Sequence, residues 1–226
     1  MCGRFTLTTG QRAELEVRFG AALPIGGGLE RYNVAPTEEV LAVCGDGEGR
    51  LLRWGLIPHW AKDLKGGARM INARSETVGE KRPFSTLVDT AGGRCLVLAD
   101  GFYEWLRPED KKAKRVPFRF TVDDGAPFAF AGLWTRARVD GEPMRSVTIL
   151  TTAPNPMVAR LHDRMPVILP DADAEAAWLS SGVSGREALG LCRTPLPEAR
   201  MQVVAANPAV NKPDPDHEGP HLLLAV

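Results

Sequence analysis

Short apolar runs bounded by Gly, Asp and Pro dominate the chain, and each such run predicts a strand. Residues 40–43 and 50–56 flank Gly45-Asp46-Gly47, which predicts a β-hairpin, and residues 118–122 and 128–133 flank Asp124-Gly125 in the same way. Further strands are predicted at 95–99, 102–106, 147–151 and 166–169. Tyr32-Asn33-Val34-Ala35-Pro36-Thr37 reads as an extended segment ending in a proline turn. Helices fall in the gaps. Thr9 is positioned to cap one that runs through Ala13, Leu15 and Phe19 and stops at Gly20. Asn155-Pro156 opens a short helix toward Leu161, Asp171 opens one that reaches Leu179 and stops near Gly182, and Ser184-Gly185-Arg186-Glu187 has capping-box spacing for another. Gly26-Gly27-Gly28 is a connector, and the Pro- and Asp-rich stretch 208–220 reads as extended on the surface. Strands interspersed with short helices predict an α+β fold around an antiparallel or mixed sheet rather than a doubly wound parallel one.

Composition narrows this picture. A chain of 226 residues has length for one sizeable core, so a single domain over 1–226 is expected. An apolar fraction of 44% and a charged fraction of 25% are those of an ordinary globular protein. Lys+Arg and Asp+Glu both number 28, so an anionic partner must be met by a local patch rather than by a global basic excess. The four cysteines, Cys2, Cys44, Cys95 and Cys192, are far apart and lack zinc-site spacing, so no metal or other cofactor is expected. Cys44 and Cys95 sit in apolar runs and read as buried free thiols of a reducing compartment. With no signal peptide and no apolar run of membrane length, the chain reads as cytosolic, and nothing in the sequence suggests more than a monomer.

Chemistry enters at the second residue. Removal of Met1 leaves Cys2 with both a free α-amine and a thiol. Reference values of ~7.7–8.0 for the amine and ~8.5 for the thiol give each a usable nucleophilic fraction near neutrality, before neighbours act. Such a 1,2-aminothiol condenses with aldehydes: the amine forms a Schiff base and the thiol closes onto it as a thiazolidine. An N-terminal thiol can also serve as a peptidase nucleophile with its own amine as base.

Four polar constellations accompany it. In Met70-Ile71-Asn72-Ala73-Arg74-Ser75-Glu76-Thr77, an extended backbone puts Asn72 and Arg74 on one side, an amide to fix an amine or a hydroxyl and a guanidinium to fork onto a phosphate or a carboxylate. In Asp100-Gly101-Phe102-Tyr103-Glu104-Trp105, alternation projects Glu104 beside aromatic bulk, where a carboxyl can work as general acid and base. Leu161-His162-Asp163-Arg164-Met165-Pro166 offers His162 for proton exchange, and adjacent residues of an extended segment point apart, so Asp163 is not counted as its partner. In Arg53-Trp54-Gly55-Leu56-Ile57-Pro58-His59-Trp60, Trp54 reads as core and Trp60 as a rim residue on which an unpaired base can stack. His59, His217 and His221 read as surface residues.

Taken together, these segments, with Met1-Cys2-Gly3-Arg4-Phe5 and Tyr32-Asn33-Val34-Ala35-Pro36, closely resemble the SOS response-associated peptidase family. The motif-bearing part runs from residue 1 to 169. In the divergent part, 170–226, only Val210-Asn211 and Gly219-Pro220 echo the family, and no role is carried over to them. The resemblance implies a distorted barrel-like sheet with short flanking helices, a groove for single-stranded DNA, and covalent capture of abasic sites as a thiazolidine. It implies Cys2 as nucleophile, Asn72 as holder of its amine, Glu104 as proton shuttle and His162 as assistant in opening the sugar ring. It also implies DNA contacts from Gly3, Arg4, Asn33, Arg74, Thr151 and Arg164, with Pro36 and Trp60 near the bases. Two rivals use overlapping residues: a cysteine peptidase that removes its own Met1 through Cys2, and a non-covalent reader of modified bases that would not need Cys2.

Overall fold

The computed structural model describes residues 2–24, 30–64, 66–106, 115–214 and 218–224. Met1, the Gly26-Gly27-Gly28 connector and His217 lie outside the described residues. Twelve strands are named: β1 (Phe5–Leu7), β2 (Arg31–Val34), β3 (Glu39–Cys44), β4 (Gly49–Trp54), β5 (Asn72–Arg74), β6 (Arg94–Ala99), β7 (Gly101–Leu106), β8 (Val116–Val122), β9 (Phe128–Val139), β10 (Glu142–Thr152), β11 (Met165–Pro166) and β12 (Met201–Ala205). The α-helices are α1 (Arg12–Phe19), α2 (Phe84–Asp89), α3 (Pro156–Ala159), α4 (Ala172–Leu179) and α5 (Gly185–Leu191).

Strands β10, β4, β3, β6 and β9 follow one another by hydrogen bonding, and β9 pairs back onto β10, so they close a five-stranded barrel. All its pairings are antiparallel except β4 with β10, which makes the barrel mixed. A second sheet, in the order β12-β8-β7-β1-β2, is wholly antiparallel. The α+β, barrel-like reading of the sequence therefore matches the observed architecture.

Period-two alternation explains where the core sits. Val40, Ala42 and Cys44 of β3, Cys95, Val97 and Ala99 of β6, and Phe128 and Phe130 of β9 join one buried cluster with Phe5, Phe102 and Phe120 of the second sheet. The intervening Leu41, Val43, Leu96, Leu98, Ala129 and Ala131 join another, which also holds Leu15 of α1, Trp178 of α4 and Ala188 of α5. Both faces of these strands are buried, which is why their runs read as nearly continuous apolar sequence.

Caps were read well and one turn was not. Asn155, Asp171 and Ser184 each accept a backbone N–H at their helix starts, with the reciprocal Glu187 contact at α5, and Gly20 ends α1 in the left-handed conformation. Helix α1, however, starts at Arg12 without a side-chain cap, and Thr9 is engaged elsewhere. The Asp124-Gly125 turn is not a hairpin, because β8 pairs with β7 and β12 while β9 pairs with β6 and β10. It is a corner between sheets. The hairpin is β9–β10, closed by Asp140 and Gly141 at φ 53 and 87, a left-handed pair suited to that turn. The predicted strand at 166–169 shrinks to β11 with a single bridge from Ile168 to Phe130. The 208–220 stretch is not extended over the surface where it is described: Val210 is fully buried against Tyr103, Ala206 and Leu222.

One buried carboxylate ties the second sheet together. Asp100 accepts from Thr6 Oγ1 at 2.6 Å, Thr8 Oγ1 at 2.7 Å, Thr9 N–H at 3.1 Å and Arg119 Nη2 at 3.2 Å. Asp100→Ala would strand the largely buried Arg119 charge and release the residues after β1. We expect a loss of about 3–5 kcal/mol in urea unfolding, and a loss below ~1 kcal/mol would show that the β1 end is held by packing alone. Among the described residues, no helix is long and apolar enough to cross a membrane.

Candidate functional site

The site lies where β1 meets β7 and where β5 edges the barrel. Phe5 pairs with Phe102 and Thr6 with Gly101, and the Tyr103 N–H donates to the Arg4 carbonyl at 2.9 Å. This pairing runs the N-terminal arm along β7, so that Cys2 and Phe102 share one buried cluster. Strand alternation puts Glu104 on the same side as Phe102, and Glu104 is only 3% exposed. From the other direction, β5 lies parallel to β10 with Asn72 opposite Ile149 and Arg74 opposite Thr151. Asn72 Nδ2 donates to the Cys2 carbonyl at 2.7 Å, and its Oδ1 is buried without a hydrogen-bond partner among the described residues.

Burial first, and the Glu104 carboxylate second, push the Cys2 thiol far above its ordinary value. This favours the neutral thiol more than the reference values do, since those describe the group before neighbours act, and a neutral thiol needs a base when it reacts. Its Sγ donates weakly to the Arg4 carbonyl at 3.7 Å.

Above lies a pocket of about 440 Å³, lined by Arg74, Glu104, Trp105, Arg115, His162 and Arg164, with Asp163 at its edge. His162 Nδ1 lies 3.0 Å from the Arg164 backbone nitrogen, within hydrogen-bond reach of its N–H. Asp163 Oδ1 is 2.9 Å from the same Nδ1, so a protonated ring has a carboxylate at hand. The contact overturns the expectation that the two side chains point apart, although Asp163 itself is 81% exposed.

The remaining sequence candidates fall into three groups. Arg74 is exposed at the pocket, and Arg164 lines it while ion-paired to Glu76. Thr151 and Asn33 are buried supports. Thr151 is fully buried, and its carbonyl accepts from Arg164 Nη2 at 2.6 Å. Asn33 is 3% exposed, with Oδ1 accepting from Arg4 Nη1 at 2.8 Å and Nδ2 donating to the Lys212 carbonyl at 3.3 Å. Asn33 also lines a separate small pocket with Arg31 and Glu38. Gly3, Pro36 and Trp60 do not line the pocket; Trp60 is 53% exposed and meets His59 edge-on at 4.7 Å between ring centres. Trp54 is fully buried, as read from the sequence.

Sequence reasoning gave no role to Trp105, Arg115 or the chain around Val210. Arg4 Nη1 donates to the Val210 carbonyl at 2.7 Å, and Trp105 Nε1 donates to Asn211 Oδ1 at 2.7 Å. The C-terminal segment thus buttresses the arm that carries Cys2, and the Val210-Asn211 echo was the signal available for it. Among the described residues no group of three or more His, Cys, Asp or Glu is gathered to hold a metal ion.

The family model described as SOS response associated peptidase (SRAP) matches residues 1–213. The chain is 39% identical over 218 residues to abasic site processing protein YoqW of Bacillus subtilis (strain 168), covering 94% of this chain and 95% of that one. It is 32% identical over 200 residues to abasic site processing protein YedK of Escherichia coli (strain K12), covering 83% of each. A crystal structure of a Bacteroides thetaiotaomicron protein shares the fold with a TM-score of 0.84 at 22% identity, covering 100% of both chains. One from Bordetella bronchiseptica gives 0.77 at 27% identity, covering 91% of this chain and 100% of that one. On the extent of that family match and the identity to these relatives, the chain belongs to the SOS response associated peptidase (SRAP) family.

Proposed function

We propose that the protein is an abasic-site sensor that captures the lesion in single-stranded DNA covalently through Cys2. The observation that carries this reading is the convergence of Asn72 and Glu104, from separate strands, on the residue that becomes the N-terminus when Met1 is removed. The relatives' printed names, abasic site processing proteins, point the same way.

The ring-opened abasic sugar is an aldehyde. In this mechanism the Cys2 amine attacks its carbon, with Asn72 Oδ1 accepting from the amine. Glu104, a carboxylate at rest that has first taken a proton from the Cys2 ammonium group, protonates the leaving hydroxyl, and water departs to give an iminium ion. The neutral thiol then adds to the iminium carbon and gives its proton to Glu104, which closes the thiazolidine and restores the acid. Because the thiol is held neutral, the amine acts first. His162 assists the opening of the sugar ring, with the Asp163 carboxylate beside its Nδ1. Arg74 and Arg164 grip phosphates, Thr151 and Asn33 act beneath Arg164 and Arg4, and Pro36 and Trp60 meet bases. The whole of 1–226 serves as one functional domain, a monomer that needs no cofactor.

The test compares one single-stranded oligonucleotide in two forms, with its abasic aldehyde intact or reduced beforehand to the alcohol. A denaturation-resistant adduct is expected with the aldehyde alone. An equal adduct with the alcohol would exclude aldehyde capture.

A further inference from the structure

Arg164 is the cation most tightly engaged at the pocket. Its Nη1 and Nη2 each donate to a Glu76 carboxylate oxygen at 2.7 Å, the end-on fork that a phosphate would take. The Thr151 carbonyl takes a further Nη2 bond at 2.6 Å. Nε is buried and has no hydrogen-bond partner among the described residues, so the side-on fork is closed to an incoming anion. The Arg164 side chain is 12% exposed while Glu76 is 48% exposed, so the guanidinium is fixed and the carboxylate is the member able to leave. On its other side Glu76 lines a cavity of about 740 Å³, together with Arg186 and Arg193 and the carboxylates Glu80 and Asp89. A displaced carboxylate would swing into a cavity open to solvent, where two arginines balance the two carboxylates already there.

We propose that Glu76 is a specificity-determining gate, an internal anion that occupies the phosphate fork of Arg164 until a correctly seated strand displaces it. The proposal rests on the reading that Arg164 meets a DNA phosphate. Any strand that binds must first break the Glu76–Arg164 pair, so loosely seated, undamaged DNA gains little from Arg164. A lesion-bearing strand anchored through Cys2 holds its phosphate against the fork long enough to exchange with the carboxylate. Glu76 also carries a net negative charge beside the strand, which lowers the effective number of phosphates neutralised. Because the guanidinium is held by Thr151 from below, losing Glu76 should leave Arg164 aimed at the pocket.

Undamaged single-stranded DNA is the probe, with binding to the native chain, Glu76→Gln, Arg164→Gln and the double variant measured across a salt series. Melting curves check that each is folded. Glu76→Gln should bind about fivefold tighter at low salt, and its plot of log affinity against log salt should steepen by about 0.7, one more phosphate neutralised. In the Arg164→Gln background the same change should give a clearly smaller gain in affinity and slope, from relief of charge alone. Unchanged or weaker binding by folded Glu76→Gln would overturn the gate, as would an equal gain without Arg164. These failures are separable from failure of the function itself: a native chain that forms no adduct with abasic DNA overturns the capture reading, whereas one that does, with an unmoved Glu76→Gln slope, overturns the gate alone.

Discussion

Cys2→Ala protein binds single-stranded DNA nearly as well as the native chain and leaves no denaturation-resistant complex with abasic DNA unless borohydride is added. Both parts of this expectation follow from the geometry. The substitution removes one sulfur from a fully buried position, where the Sγ makes only a long contact to the Arg4 carbonyl. The Tyr103–Arg4 backbone bond, the Asn72 bond to the residue 2 carbonyl and the exposed Arg74 are all retained. Alanine is also small enough for Met1 removal, so the amine persists and an imine forms that reductant traps. What is lost is the ring closure that makes the product survive denaturation. A resistant adduct from Cys2→Ala without reductant would show that another nucleophile does the work, and the peptidase-type use of Cys2 would then have to be tested by peptide turnover.

The second large effect is at Glu104. Glu104→Gln should slow adduct formation by about 10²-fold under single-turnover conditions, the usual contribution of a positioned acid and base. The substitution keeps shape, so the packing of β7 beside Phe118 of β8 is preserved. Its electrostatic consequence runs opposite to its effect on rate. Glu104 is the second cause of the raised thiol, after burial, so removing its charge makes the thiol more acidic. A slower reaction from a more acidic thiol isolates proton transfer as the missing element. Burial holds the native thiol toward its neutral form, so the native rate should follow ionisation of the α-amine near ~7.7–8.0 and not that of an ordinary thiol near ~8.5. A rate within twofold of native for Glu104→Gln, or a native profile that follows thiol ionisation near ~8.5, would remove Glu104 from the shuttle role.

How much of this was legible in the sequence depended on how local the cause was. Helix caps at Asn155, Asp171 and Ser184 are set by a side chain and a backbone group three residues apart, and they were readable. So was the alternation that turns Glu104 to the Phe102 side of β7, because strand geometry alone decides it. The Asp124-Gly125 corner was misread because turn composition does not say which strands pair across it, and the pairing of β8 with β12 spans about 80 residues of sequence. Asp140-Gly141, the turn that does close a hairpin, carried the same dipeptide signal and was passed over. Burial of Thr151 and Asn33 was equally invisible, since both sit under arginines brought by distant segments. Thr9 reads as a cap from its spacing, but its N–H is taken by Asp100, 91 positions away. The state of the Cys2 thiol belongs to the same class: reference values describe an isolated group, and the fold surrounds it with core and a carboxylate.

The central claim is that Cys2 closes a ring on the abasic sugar, and intact mass before and after borohydride measures it most directly, because the open imine has the same mass as the ring but takes up two hydrogens. Protein incubated with a single-stranded oligonucleotide bearing one abasic site, without reductant, should give a species whose mass is that of the Met1-less chain plus the oligonucleotide less one water. Digestion should locate the adduct at residue 2. A species of that mass attached at a lysine, or a product seen only after borohydride and two hydrogens heavier, would contradict the account.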